Sequence, residues 1–146
     1  MIASITLLAE NDFVGMTFWL ATSIMLASTV FFFMERSDVN GKWRTSMTVA
    51  GLVTGVAFWH YLYMRDAHLM GEVTTVFRYI DWLITVPLQI VEFYLILSAV
   101  TMVSGMLFWR LLGASLVMLV FGFLGEAGLI DATIGFVVGM AGWGYI

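Results

Sequence analysis

Two carboxyls, Asp81 and Glu92, stand eleven residues apart in the stretch RYIDWLITVPLQIVEF, residues 78–93, which also carries Arg78, Thr85 and Gln89. An α-helix turns about 100° and rises about 1.5 Å per residue. With Asp81 set at zero, Glu92 falls near ~20°, Thr85 near ~40°, Arg78 near ~60° and Gln89 near ~80°, a single polar face. The two carboxyls then lie about 16 Å apart along the axis, which is roughly half the thickness of a bilayer's hydrocarbon core. That is too far for direct exchange of a proton, but it suits two successive stations of a relay. Charge at the bilayer centre costs several kcal/mol by most estimates, so intramembrane carboxyls generally mark proton or ion pathways. A plainer alternative is that Arg78 and Asp81, at i and i+3, neutralise one another, with Glu92 a protonated carboxyl bonded to a neighbour. His60 has two readings as well. It is either a satisfied core residue or, if it faces Asp81 across two helices, a partner in its acid–base chemistry. Pro87, the single proline, removes one helical N–H and predicts a mild kink. His68 reads as a solvated loop residue.

These residues need a scaffold, and the composition says which kind. The chain has 146 residues, 62% of them hydrophobic and 11% charged, against about 25% charged in soluble domains. An all-α, polytopic transmembrane bundle is expected, organised as one domain over residues 1–146. Apolar stretches of about 20 residues mark membrane spans. They are predicted at 13–34, 46–64, 76–100 and 106–124, with a fifth starting at 132 and cut off at 146. The spacings Gly51-x-x-x-Gly55 and Gly135-x-x-x-Gly139 allow helix backbones to approach closely and read as packing within the chain rather than as a dimer face. Assembly into a homo-oligomer is left open. Methionines and aromatics are expected to face lipid or fill the core.

Charge in the connections gives an orientation. The loop SDVNGK with its flanks and the connection after the third span hold Arg36, Lys42, Arg44 and Arg110. The opposite side offers Arg65, beside Asp66 and Glu72. Positive charge collects on the cytoplasmic side, so the N-terminus is expected outside and the third span to run from outside to inside. MIASITLLA lacks a basic leader region and reads as an extracellular tail or the remnant of a processed leader. The chain has no cysteine, which excludes disulfides and thiolate chemistry. Two histidines eight residues apart do not suit a zinc site, and a net charge of −4 does not suit nucleic acid.

The pattern R-Y-x-D-W-L-x-T-x-P-L, here RYIDWLITVPL, resembles the third helix of microbial (type 1) rhodopsins. GLVTGVAFWHYLYM, TVFRYIDWLITVPLQIVEFYLIL and GFLGEAG are similar to the proteorhodopsin subfamily, and the likeness runs from about Phe13 onward. The resemblance implies the first five helices of a seven-helix fold, in a light-driven transporter rather than an enzyme. It implies an outward proton pump of the bacterial inner (plasma) membrane, with retinal held as a protonated Schiff base and with lipid, retinal and protons as partners. Position by position, Asp81 matches the proton acceptor and counter-ion, and Glu92 the cytoplasmic donor. His60 matches the acceptor's partner and Arg78 the arginine toward the exit. Thr85 and Trp82 match retinal-contacting residues, and Met118, Gly122 and Trp143 fall at expected pocket positions. Gln89 occupies the colour-tuning site, where glutamine resembles the blue-absorbing members.

One departure is large. The family's retinal lysine lies in the seventh helix, and the single lysine here is Lys42, expected at a helix end among charged neighbours without an apolar pocket. The chain therefore reads as the N-terminal part of such a pump. The same fold also serves sensory photoreceptors that signal through partner proteins, but those generally lack a carboxyl at the position of Glu92. Chloride and sodium pumps carry a different trio from Asp81, Thr85 and Glu92. A retinal-free structural bundle rests on the missing lysine alone.

Overall fold

A computed structural model describes residues 11–146, so the reading of MIASITLLA lies outside the described residues. Five helices follow one another: α1 (Phe13–Glu35), α2 (Gly41–Leu69), α3 (Thr75–Val100), α4 (Gly105–Glu126) and α5 (Ala132–Tyr145). Among the described residues there is no strand. The starts are set by capping side chains, which satisfy the orphan N–H groups of a first turn. Asp12 accepts from the Gly15 amide at 2.8 Å, Ser104 from Met106 at 3.2 Å, and Asp131 from Thr133 and Ile134 at 2.9 and 3.2 Å. Two of the ends are set by glycine in the left-handed region, Gly71 at φ 72° after α2 and Gly128 at φ 71° after α4. After each, an amide turns back on the last turn, Glu72 N–H to the Ala67 carbonyl at 2.9 Å and Leu129 N–H to that of Leu124 at 2.9 Å, the usual way such glycines close a helix.

Helix α2 corrects one expectation. It runs past the apolar stretch 46–64 at both ends, because a helix needs no apolar side chains to continue and nothing breaks it before Gly71. Arg65 and His68 are therefore helical, not loop residues. Arg65 is buried, its guanidinium 4.7 Å from the centre of the Trp19 ring and 3.6 Å from Asp66. His68 is not freely solvated: its Nε2 lies 3.3 Å from the Asp12 carboxylate, and its ring 5.8 Å from that of Phe18. Helix α3 passes through Pro87 as one helix.

Among the described residues, close backbone contacts run only between chain neighbours: α1 with α2, α2 with α3, α3 with α4, α4 with α5. The helices form a row rather than a closed ring. By length and composition, α1, α3 and α4 are each able to cross a membrane. Large apolar side chains, among them Leu20, Phe31, Trp59, Phe93, Trp109 and Phe136, stand exposed along the row, as expected of a chain whose solvent is lipid. The buried residues are small or mid-sized, such as Val49, Ala50, Val53 and Ala57 of α2. Both glycine motifs pack inside the chain. A Cβ on Gly51 would meet the Phe33 ring at 2.9 Å, and one on Gly135 would lie 2.8 Å from the Gly125 Cα.

Candidate functional site

Helix α3 lies between α2 and α4 and carries the polar face predicted for it. Asp81 and Thr85 are buried, Arg78 and Glu92 half-buried and Gln89 exposed. From α2, His60 reaches the acid, with Nδ1 3.2 Å from Asp81 Oδ1. The same nitrogen lies 3.0 Å from the carbonyl of Val56, one turn earlier in its own helix. A ring nitrogen carries one proton at most, so the carbonyl and the carboxylate compete for it. Asp81 Oδ1 accordingly has no well-directed hydrogen bond although it is buried. A buried polar atom in that state is costly, and such exceptions gather where chemistry is done. Thr85 does not reach the carboxyl. Its hydroxyl donates to the backbone carbonyl of Asp81 at 2.9 Å.

Arg78 does not pair with Asp81, so the self-neutralising pair on one helix is not formed. Its Nη2 donates to Glu126 Oε1 at the end of α4 and to Thr75 Oγ1 at 3.2 Å. Sequence reading missed Glu126 as the partner. It stands in the quoted GFLGEAG, but one sequence does not show which helix will lie beside Arg78.

On the α4 side of α3, an apolar cavity of about 340 Å³ is lined by Tyr79, Trp82, Val86, Met118, Leu119 and Gly122. Tyr79 fills the helix junction, its ring edge-on to Trp82 at 5.0 Å and to Phe123 at 5.2 Å. A second hollow of about 390 Å³, between Met118, Phe136, Gly139, Met140 and Trp143, shares Met118 with the first. Trp82, Met118 and Gly122 thus border one apolar hollow between α3 and α4, and Met118 and Trp143 another between α4 and α5. Further along α3, Gln89 and Glu92 border a separate hollow of about 270 Å³ with Phe93 and Ile96. Among the described residues, no group of three metal-ligating side chains gathers.

These two hollows suit apolar parts of a ligand, since small-molecule sites are mostly apolar hollows of about 300–1,000 Å³. Neither is lined by an amine. Lys42 is exposed at the start of α2, where its Nζ donates to the Ala99 carbonyl at 2.8 Å and lies 5.8 Å from the centre of the Trp43 ring. The residues present fit the apolar part of a retinal and not its covalent attachment.

Known proteins resemble this chain in sequence and in fold. The chain is 62% identical over 137 residues to the blue-light absorbing proteorhodopsin of Gamma-proteobacterium Hot 75m4, covering 93% of this chain and 55% of that relative. It is 59% identical over 140 residues to the green-light absorbing proteorhodopsin of Gamma-proteobacterium EBAC31A08, covering 95% and 56%. The chain thus spans a little over half the length of these curated relatives. Its fold superposes on the crystal structure of the blue light-absorbing proteorhodopsin from Med12 with a TM-score of 0.83 and 67% identity, over 92% of this chain and 64% of that one. For the rhodopsin of Exiguobacterium sibiricum the TM-score is 0.76 and the identity 34%, over 90% and 61%. The family model for bacteriorhodopsin-like proteins matches residues 12–146, and the chain belongs to that family, as a multi-pass membrane protein with five helices of the rhodopsin fold.

Proposed function

We propose that this chain supplies the proton-handling half of a light-driven outward proton pump. The observation that carries the reading is the buried Asp81 carboxyl, approached by His60 at 3.2 Å and under-supplied with hydrogen bonds, on the same helix as Glu92 eleven residues away. Retinal, when bound, supplies light absorption and a proton held on a cationic nitrogen. Trp82, Met118, Gly122 and Trp143 would hold its polyene, with Thr85 beside its polar end and Gln89 tuning its colour toward blue. The anchoring amine is not among the 146 residues, whose single lysine is Lys42.

Asp81 is the acceptor. Its free oxygen can take a proton without first breaking a strong bond, and His60 can turn its Nδ1 proton from the Val56 carbonyl to the carboxylate. That gives the acid a companion whose titration is coupled to its own. Arg78, held to Glu126, keeps a fixed positive charge between Asp81 and the end of the bundle where α3 starts. Glu92, about 16 Å further along the helix, returns a proton from the other end. A carboxyl there favours a pump over a sensory photoreceptor, which has no need of rapid reprotonation. The charges at helix ends support the orientation. Arg36, Lys42, Arg44 and Arg110 share the end where Lys42 meets Ala99, which we assign to the cytoplasm of a bacterial inner membrane, leaving the N-terminus outside.

The test is a seven-helix chimera in which residues 12–146 are joined to the remaining helices of the blue-light absorbing proteorhodopsin. Cells expressing it with all-trans retinal should acidify their medium on illumination, and Asp81→Asn should abolish this, because no acceptor remains. A coloured chimera that does not acidify, or an Asp81→Asn variant that still does, overturns the reading.

A further inference from the structure

We propose that the outer half of α2 carries a docking site for a phospholipid whose headgroup ends in a primary ammonium. The site is a hollow of about 210 Å³ lined by Trp59, Leu62, Tyr63 and Asp66. It shares no residue with the Asp81 site or with the two apolar hollows beside α4. The orientation proposed above decides which leaflet the lipid belongs to, and the chemistry of recognition holds in either.

Residues at i, i+3, i+4 and i+7 share one face of a helix, so α2 builds the hollow by itself. Its polarity is graded along the axis. Asp66 lies three residues before the end of α2 at Leu69, about 4.5 Å from it. Trp59 lies seven residues deeper, a further 10 Å or roughly so. Carboxylate near water and indole below it is the order in which a phospholipid presents its ammonium and its chains. The lining is open on the membrane side, with Trp59 71% and Tyr63 49% exposed. The Tyr63 ring is steadied from α3 by Phe77, at 4.3 Å between centroids. The Asp66 side chain is half exposed, and the cation beside it, Arg65 Nη1, stands 3.6 Å away, beyond good hydrogen-bond length. Arg65 is committed elsewhere, its guanidinium against the Trp19 ring of α1. The Asp66 carboxylate is thus able to accept from a ligand.

A carboxylate beside aromatic rings selects a cation. The rings attract an ammonium through their faces, and the carboxylate accepts charge-assisted hydrogen bonds. A primary ammonium satisfies both, whereas a quaternary one has no N–H to donate. Charge complementarity extends beyond the hollow. Asp12, Glu72, Glu126 and Asp131 stand at the same end of the bundle, so a headgroup with net negative charge is repelled there. The volume is below the roughly 300–1,000 Å³ that encloses a whole small ligand. It suits the headgroup end, with the chains left to run over the exposed Trp59.

The experiment is native mass spectrometry of the 146-residue chain released from mixed micelles. These hold equal amounts of phosphatidylethanolamine, phosphatidylcholine and phosphatidylglycerol with identical chains. One phosphatidylethanolamine should stay bound, favoured over each of the others by about fivefold or more. Asp66→Asn and Trp59→Leu should each bring the preference near parity, and Asp66→Glu should keep most of it. Two controls should leave it unchanged. Asp131→Asn removes a carboxylate at the same end and keeps a good cap, and Trp109→Leu removes an indole that is 69% exposed on α4. Equal retention of phosphatidylcholine overturns the proposal, because the aromatic wall would then bind without the carboxylate. Loss of the preference in Asp131→Asn overturns it too, by reducing it to the charge of the surface. Dimers in place of lipid adducts, lost in Trp59→Leu, would put a second copy of the chain in the hollow and end the proposal. Displacement by soluble glycerophosphoethanolamine would do the same, since the site would then take a free amine. The same series in the chimera, whose colour reports an intact fold, should give the same order, and a different order overturns the proposal. Neither light nor pumping enters the measurement, so its failure and that of the proton-pump reading are distinguishable.

Discussion

The α2–α3 and α4–α5 interfaces solve opposite problems. Between α4 and α5, glycine meets backbone. A Cβ on Gly135 would be 2.8 Å from the Gly125 Cα and from the Phe121 carbonyl oxygen, and one on Gly142 would be 3.0 Å from the Ala114 oxygen. Without a hydrophobic drive between helices in lipid, such close approach gains dispersion energy that larger side chains would forfeit. Between α2 and α3, space is kept for His60 and Asp81, and a buried carboxyl oxygen goes without a full hydrogen-bond set. One interface fixes the helices, and the other leaves a buried carboxyl oxygen without a directed donor. Stability belongs to the first, and the proposed proton chemistry to the second.

Breaking the chemical side should have the larger effect. In the chimera, Glu92→Gln removes the proposed donor while leaving the acceptor intact, so the early steps of the photocycle should proceed and recovery should slow by about 10²-fold or more. Flash photolysis at neutral pH measures both phases, and recovery at the unmodified rate would reject Glu92 as donor. Breaking the packed side should cost stability. Gly135→Ala should destabilise the chain by about 1–3 kcal/mol, because backbone atoms on α4 cannot step aside as a flexible side chain can. Gly41→Ala meets nothing within 4 Å and should stay within about 0.5 kcal/mol. Detergent denaturation of the three proteins in mixed micelles compares them directly, and equal midpoints would mean that α4 and α5 are not packed through Gly135. A smaller effect lies at the meeting of both demands. His60→Asn should shift the spectral titration midpoint of the chimera by about one unit or less, and an unmoved midpoint would make His60 a core residue held by the Val56 carbonyl alone.

The two interfaces also differ in how much of them the sequence discloses. Charges inside an apolar run are conspicuous, and the 3.6-residue period alone gathers Arg78, Asp81, Thr85, Gln89 and Glu92 on one side of α3. Depth follows equally simply, from the helical rise. Facing across helices is another matter. That His60 meets Asp81 depends on the register of α2 against α3, and that Arg78 turns to Glu126 depends on α4. No local pattern contains either fact. The same holds for Gly125, which lies in no glycine motif of its own and yet would lie 2.8 Å from a Cβ on Gly135. The helical state of Arg65 and His68 was within reach. RDAHL reads as polar, but the first residue able to end the helix is Gly71, and weighting the stop signal above the polarity gives the observed end.

The junction of α1 and α2 at the Asp12 end is a third kind of contact, polar and open to solvent, and it yields the smallest effect. The Gly15 amide bonds to Asp12 Oδ1 at 2.8 Å, and His68 Nε2 lies 3.3 Å from the same oxygen. The backbone bond first, and the histidine after it, hold the Asp12 carboxyl below the usual aspartate range. A carboxyl depressed in the folded state contributes stability above its unfolded value, about 3.9, and that contribution is lost as pH falls through the folded value. The chain should therefore weaken on acidification below about pH 4, by an amount that salt reduces, since the group is only half-buried. Asp12→Asn preserves a good cap but carries no charge, so its stability should change less over that range, and the two proteins should converge at the acid end. His68→Ala should remove part of the difference and leave the Gly15 bond. Denaturation midpoints of the three proteins between about pH 6 and pH 2 decide it. If Asp12→Asn loses as much stability on acidification as the unaltered chain, the carboxylate at this junction is a cap and nothing more.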